Sequence, residues 1–304
     1  MAVRTTFGST PGSAWINEHR KWVLAAPALV FVGALVVIPI IYTVVLSLTD
    51  ARGSILSEFS FIGLENYAAV LSDTARFWPA AWRTFAYTTV ALSLQMSLGL
   101  AIALLLRRPF RGQGIVRVII LLPVVATPVA VGMMWQLILE PNIGVANHLL
   151  ESIGLPRGSF LGSQSTALVT LAIIDAWQWT PMVTLILLAG LSTLPEEPDE
   201  AARVDGATAW QRFRFITFPL LRPTFFAALA LRAVDALKSF DVLYAIKGPG
   251  GGSYHEAETL NIYAYSLNFS HNNYGIAATV LTLFVALTLA LVTLLIFRRK
   301  EVRP

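Results

Sequence analysis

Trp22 to Thr49 runs for 28 residues without a charged side chain, and five more apolar segments follow it along the chain. A helix needs about 20 apolar residues to cross the hydrocarbon of a bilayer. Backbone groups in lipid find no water, so a chain with such runs satisfies them inside helices. The expected spans are residues 22–49, 84–106, 118–139, 166–194, 224–246 and 275–297. The core of a cleaved signal is only about 7–15 residues long, so the first run is read as a span that stays. With 56% hydrophobic and 13% charged residues, the expected fold class is an all-α polytopic membrane protein of six transmembrane helices.

Six spans place both termini on one side, and the basic residues say which. The tail 1–21, the 107–117 loop, the 195–223 loop and the end 298–304 hold fifteen of the 22 Lys and Arg residues. The opposite loops hold five, and two lie within the fifth span. Positive charge gathers on the cytoplasmic side, so both ends are expected there. The net charge of +4 is spread over short loops, which fits topology rather than a nucleic-acid surface. Cysteine is absent, which removes disulfides, thiol nucleophiles and cysteine-held metals.

The loops differ in character. The outer stretch 50–83 contains Phe61–Tyr67 (FIGLENY) and the aromatic group Phe77, Trp78 and Trp82, spaced for a short interfacial helix or for ordinary loop packing. The KGPGGGS run, Lys247 to Ser253, holds neither helix nor strand and closes the fifth span. Pro27, Pro39, Pro123, Pro128 and Pro181 fall inside spans. Interior proline removes a backbone bond and kinks a helix, and such breaks persist where neighbours or a cavity satisfy the freed groups. Pro128 and Pro181 lie too deep for end effects and favour a moving, cavity-lining bundle.

Charges inside spans are costly unless paired. Arg232, Asp235, Lys238 and Asp241 alternate in sign at a spacing of three, which makes each a neighbour of the next on a helix. The row is either a polar wall of a solute path or a structural ion-pair ladder, and both turn it inward. Asp175, close to Trp177, Gln178 and Trp179, joins a carboxylate and an amide to indole rings, the chemistry that binds carbohydrate. A proton-relay carboxylate is the competing use.

Other chemistry is missing. No G-x-x-x-x-G-K-[ST] loop exists, and none of Lys21, Lys238, Lys247 or Lys300 follows such a frame. His19, His148, His255 and His271 sit in tails or outer loops and form no ligand cluster, and His255-Glu256-Ala257-Glu258 lacks the second histidine of a zinc-protease helix. No catalytic residue or metal site is expected.

The 195–223 loop is polar yet helical in pattern. Pro198, Asp199 and Glu200 make an acidic first turn, favourable at a helix amino end. That helix stops at Gly206. Thr208 and Gln211 then fit a capping box for a second helix, with Trp210, Phe213 and Ile216 on one face and Pro219 and Pro223 ending it before the fifth span. Two short helices at an angle are expected.

Glu200-Ala201-Ala202, three residues, Gly206, nine residues, Ile216, one residue, Phe218-Pro219 resembles the EAA loop of ATP-binding-cassette import permeases. Phe218 stands where that family has leucine. Asp205 and the segment Ser239 to Gly251 (SFDVLYAIKGPGG) are similar to the carbohydrate branch and its first permease, with Lys247 in place of threonine. The resemblance covers roughly Trp22 to Phe297. It implies the type I importer permease fold in the bacterial or archaeal inner membrane. It also implies a second, different permease, two ATPase subunits that carry ATP and Mg, and an extracytoplasmic solute-binding protein. Glu200, Ala201, Ala202, Asp205, Gly206, Ile216 and Pro219 would form the coupling site that docks on an ATPase. Solute contacts would come from Asp175, Gln178, Trp179 and Met182 before the loop and Arg232, Ala236 and Ser239 after it, with Asp235 beside them. The alternative from another class is a proton-coupled secondary transporter using Asp175 or Asp235.

Overall fold

The structure, a computed structural model, describes residues 20–53 and 58–301. The expected tails therefore lie mostly outside the described residues, at 1–19 and 302–304. In chain order come α1 (Arg20–Ser47), α2 (Glu65–Ser72), α3 (Phe77–Leu106), α4 (Gln113–Val125), α5 (Pro128–Ile138) and α6 (Val145–Ser152). Then follow α7 (Ala167–Ser192), α8 (Glu197–Val204), α9 (Ala209–Arg212), α10 (Phe218–Leu237), α11 (Asp241–Lys247), α12 (Leu260–Tyr265) and α13 (Tyr274–Glu301).

Among the described residues four helices are long and apolar enough to cross a membrane, within α1, α3, α7 and α13, and α4 with α5 makes five when the bent pair is counted as one span. α1 exposes nearly all of its apolar side chains and packs on α13. The centre is a bundle in which α3 packs along α7 and α10 packs against both. Small residues let these axes approach. A Cβ on Gly99 of α3 would lie 2.7 Å from Val183 Cγ1 of α7, and one on Gly190 of α7 would lie 2.6 Å from Thr224 Cγ2 of α10.

The boundaries depart from expectation at several points. The third segment, 118–139, breaks at Pro128 as its proline implied, but into two separate helices, α4 and α5, that meet at 97°. Ala126 and Thr127 are extended and Pro128 opens α5, because proline disfavours helix at the residue before it. Pro181, by contrast, sits inside the unbroken α7. The aromatic group Phe77, Trp78 and Trp82 is neither a separate interfacial helix nor loop, but the first turns of α3.

The fifth segment, 224–246, is likewise divided. α10 ends at Leu237, and α11 begins only at Asp241. Pro219 and Pro223 do not terminate the helix before it. Pro219 occupies the first turn of α10, directly after a π-helical turn, and Pro223 lies inside the helix. A π-helical turn, Phe213–Thr217, joins α9 to α10 without a break. The Lys247–Ser253 run folds a short 3-10 turn at Pro249–Gly251, with Gly248, Gly250, Gly251 and Gly252 all at positive φ.

Candidate functional site

The stretch between α7 and α10 has the expected elbow. α8 carries Glu197, Asp199 and Glu200 in its first turn. Gly206 bends the chain at φ +81°, a region open to glycine at little cost. Thr208 then caps α9. Its hydroxyl accepts from Gln211 N at 3.3 Å, and its own N–H donates to Gln211 Oε1 at 2.7 Å, the reciprocal pattern of a capping box.

Asp199 spans the bend. Arg203 Nη2 donates to Asp199 Oδ2 at 2.6 Å within α8, and Arg212 Nε of α9 pairs with Asp199 Oδ1 at 3.2 Å. Two helices of one turn and two turns have little stability alone, so this pair and the cap set their angle. The aromatic face forms as expected: Trp210 and Phe213 lie 5.5 Å apart, and Phe213 continues to Phe218 at 5.8 Å. Trp210 and Phe215 remain largely exposed.

Hollows flank the elbow. One, of roughly 350 Å³, is lined by Asp205, Gly206, Ala207, Gln211, Phe215 and Ile216. Another, of roughly 630 Å³, lies between Arg107 and Arg108 at the end of α3 and Glu196, Asp199, Glu200 and Arg203. Glu200 and Ala201 are exposed, and Ala202, Ile216 and Pro219 are half-buried. An exposed acidic and small-residue arm, a glycine bend and an uncovered aromatic face make a shape that another protein can seat upon.

The second polar site lies inside the bundle. Asp175 of α7 and Arg232 of α10 are 2% and 1% exposed and pair at 3.4 Å. Between them stands Gln95 of α3, fully buried. Its Nε2 donates to Asp175 Oδ2 at 2.6 Å, and its Oε1 accepts from Arg232 Nε at 2.9 Å. Arg232 also lies over the Trp179 ring at 4.7 Å and reaches Asp235 at 3.5 Å. Gln95 was not among the expected residues. Its only trace in the sequence is an amide within an uncharged apolar run.

The charge row is therefore shorter than its spacing implies. Arg232 pairs with Asp235 and Asp235 with Lys238 at 3.5 Å, but Asp241 lies beyond the helix break and takes no part. Gln178 turns away from the charges: its Nε2 donates to Ala126 O at 3.1 Å, the carbonyl freed at the α4–α5 bend. Trp179, Met182, Asp235 and Ser239 are half-buried, and Ala236 is buried. Ser239 Oγ lies 3.0 Å from Tyr87 Oη.

Beyond Ser239 is an aromatic wall that sequence reasoning missed. Phe240 stacks on Tyr244 at 5.0 Å, Tyr265 meets both, and Phe269 lies 4.5 Å from Tyr265. A cleft of roughly 360 Å³ there is lined by Lys238, Phe240, Asn261, Tyr265, Asn268 and Phe269 among others. Only the fold brings α11 and α12 together, so no local spacing announces it.

Residues 95–301 match the family described as binding-protein-dependent transport system inner membrane component. The trehalose/maltose transport system permease protein MalF of Thermococcus litoralis is 34% identical, over 91% of this chain and 94% of that protein. The trehalose transport system permease protein SugA of Mycobacterium tuberculosis is 33% identical, over 91% and 87%. In the crystal structure of a bacterial alginate ABC transporter in complex with alginate pentasaccharide-bound periplasmic protein, one chain superposes with a TM-score of 0.80. It is 23% identical and the match covers 92% of this chain and 95% of that one. The chain thus belongs to the inner membrane components of binding-protein-dependent transport systems, as a multi-pass permease subunit of an ATP-binding-cassette importer rather than a proton-coupled carrier.

Proposed function

We propose that this permease carries a sugar or sugar-like solute into the cytoplasm. The observation that carries this reading is the cleft beside α11 and α12. Flat faces of Phe240, Tyr265 and Phe269 suit the apolar faces of a pyranose, and Asn261, Asn268 and Lys238 supply hydrogen-bonding groups for hydroxyls. Relatives named for trehalose and maltose transport agree with it. The solute route runs from this cleft past Ser239 and Asp235 to Trp179 and Met182, which are half-buried. Asp175, Gln178, Arg232 and Ala236 are buried behind them and shape the wall.

In the same proposal the α7–α10 connection faces the cytoplasm, and Glu200, Ala201, Ala202, Asp205, Gly206, Ile216 and Pro219 seat one of two ATPase subunits. Those subunits bind ATP with Mg²⁺ and hydrolyse it, and this chain holds no cofactor and catalyses nothing. A second, different permease completes the pathway, and a binding protein delivers solute from outside. Support comes from the bent, exposed elbow and from the family itself.

The test is uptake into proteoliposomes by the assembled complex, using radiolabelled trehalose, maltose and lactose beside methionine. Saturable, ATP-dependent uptake of a sugar, lowered at least tenfold by Phe240→Ala with Tyr265→Ala, is expected. Uptake of methionine and of no sugar would overturn the assignment.

A further inference from the structure

We propose that Gln95, Asp175 and Arg232 are positioning residues, a clamp that makes α7 and α10 move as one rigid lever when the elbow between them is displaced. The inference rests on the coupling reading above and says what transmits the motion. Both helices spring from the elbow, so each would receive its push separately unless something ties them.

Two specific ties, at different heights, bracket the apolar packing of Val183, Leu187 and Leu191 against Leu221 and Ala228. Near the elbow, Gly190 of α7 accepts Thr224 of α10 at a separation that leaves no room for a Cβ. Farther along α7, Asp175 meets Arg232. At 1.5 Å per residue the two points are about 22 Å apart on α7 and about 12 Å apart on α10. One contact acts as a pivot, whereas two contacts at that separation fix an angle.

Gln95 brings in α3 the same way. It bonds to both charges, and one turn further on Gly99 packs against Val183 of α7. An amide is the group this position requires, since its nitrogen donates to the carboxylate while its oxygen accepts from the guanidinium. All three side chains are at most 2% exposed, so none offers a free group to a passing solute. The geometry is that of a brace.

The chain has no cysteine, which permits site-directed spin labelling of the assembled complex with its ATPases. Labels at the exposed positions Ile173 on α7 and Leu231 on α10 report the distance within the lever. A second pair, at Ala201 and on the ATPase, reports the coupling itself. ATP with vanadate serves as the probe. In the otherwise native complex the Ile173–Leu231 distribution is expected to be narrow and identical with and without nucleotide. In Gln95→Leu, and in the charge-free pair Asp175→Leu with Arg232→Met, it is expected to broaden at least twofold in the nucleotide-free state already. A native distance that shifts with nucleotide, or variants as narrow as native, would overturn the clamp. Failure of the coupling reading looks different, because the Ala201 pair would then show no ATPase contact at all.

Discussion

Arg232 Nε donates to Gln95 Oε1 at 2.9 Å in the middle of the bundle, so a charge on α10 is satisfied by a neutral amide on α3 as well as by Asp175. Removing the arginine strands a carboxylate that is 2% exposed. Breaking a buried pair from one side typically costs about 3–5 kcal/mol. Arg232→Ala should lower the unfolding temperature of the purified permease complex clearly, and Asp175→Leu with Arg232→Met should restore part of it. A double variant as unstable as Arg232→Ala would show that packing, not the stranded charge, sets the cost.

Gly190 faces Thr224 with no space for a side chain. Overpacking a close contact costs about 1–3 kcal/mol, so Gly190→Val should destabilise the complex by that order in thermal unfolding. Gly33, which meets nothing within 4 Å, is the control, and Gly33→Ala should be neutral.

Asp199 holds Arg203 and Arg212 across the bend. Asp199→Ala should loosen the elbow and weaken co-purification of the ATPase subunits several-fold, while the permease still inserts. The Arg203 side of the pair is half exposed and individually weak, and the largely buried Arg212 side carries most of the loss. Undiminished ATPase recovery would deny the pair its role.

In the loop that follows α11, Lys247 Nζ lies 2.6 Å from Glu256 Oε1. Burial raises the Glu256 pKa, but the Lys247 hydrogen bond and backbone N–H donors outweigh it and hold the carboxyl below its ordinary 4.5. A depressed folded-state pKa contributes stability that is present above the unfolded value and lost as pH falls through the folded one. Proteolysis of the 248–259 loop should therefore stay slow from pH 7 to about 5 and quicken below the ordinary carboxylate range. In Glu256→Gln that acid step should shrink. An unchanged step would assign it to another carboxylate.

Much of this was legible in the sequence because it rests on local rules. The uncharged run 22–49 and the charge-free segment 275–297 became α1 and α13, and Thr208 with Gln211 became a real cap. Gly206 took the positive φ that its place after a short helix demanded. Where tertiary partners decide, local reading failed. Pro128 signalled the kink correctly, but not its 97° size nor Gln178 as the donor that satisfies the carbonyl of Ala126 there. Pro219 reads as a stop, but the π turn before it carries the helix through. Gln95 gives no local signal, because an uncharged amide barely disturbs an apolar pattern, although its partners make it the hub of the polar core.

The central claim is that motion enters through the bend at Gly206, whose φ of +81° proline, fixed near −65°, is unable to adopt. Its most direct test is ATP-driven sugar uptake by proteoliposomes holding the complete complex with Gly206→Pro. The account predicts normal membrane insertion with uptake reduced to background. Uptake at the native rate in that variant would contradict it.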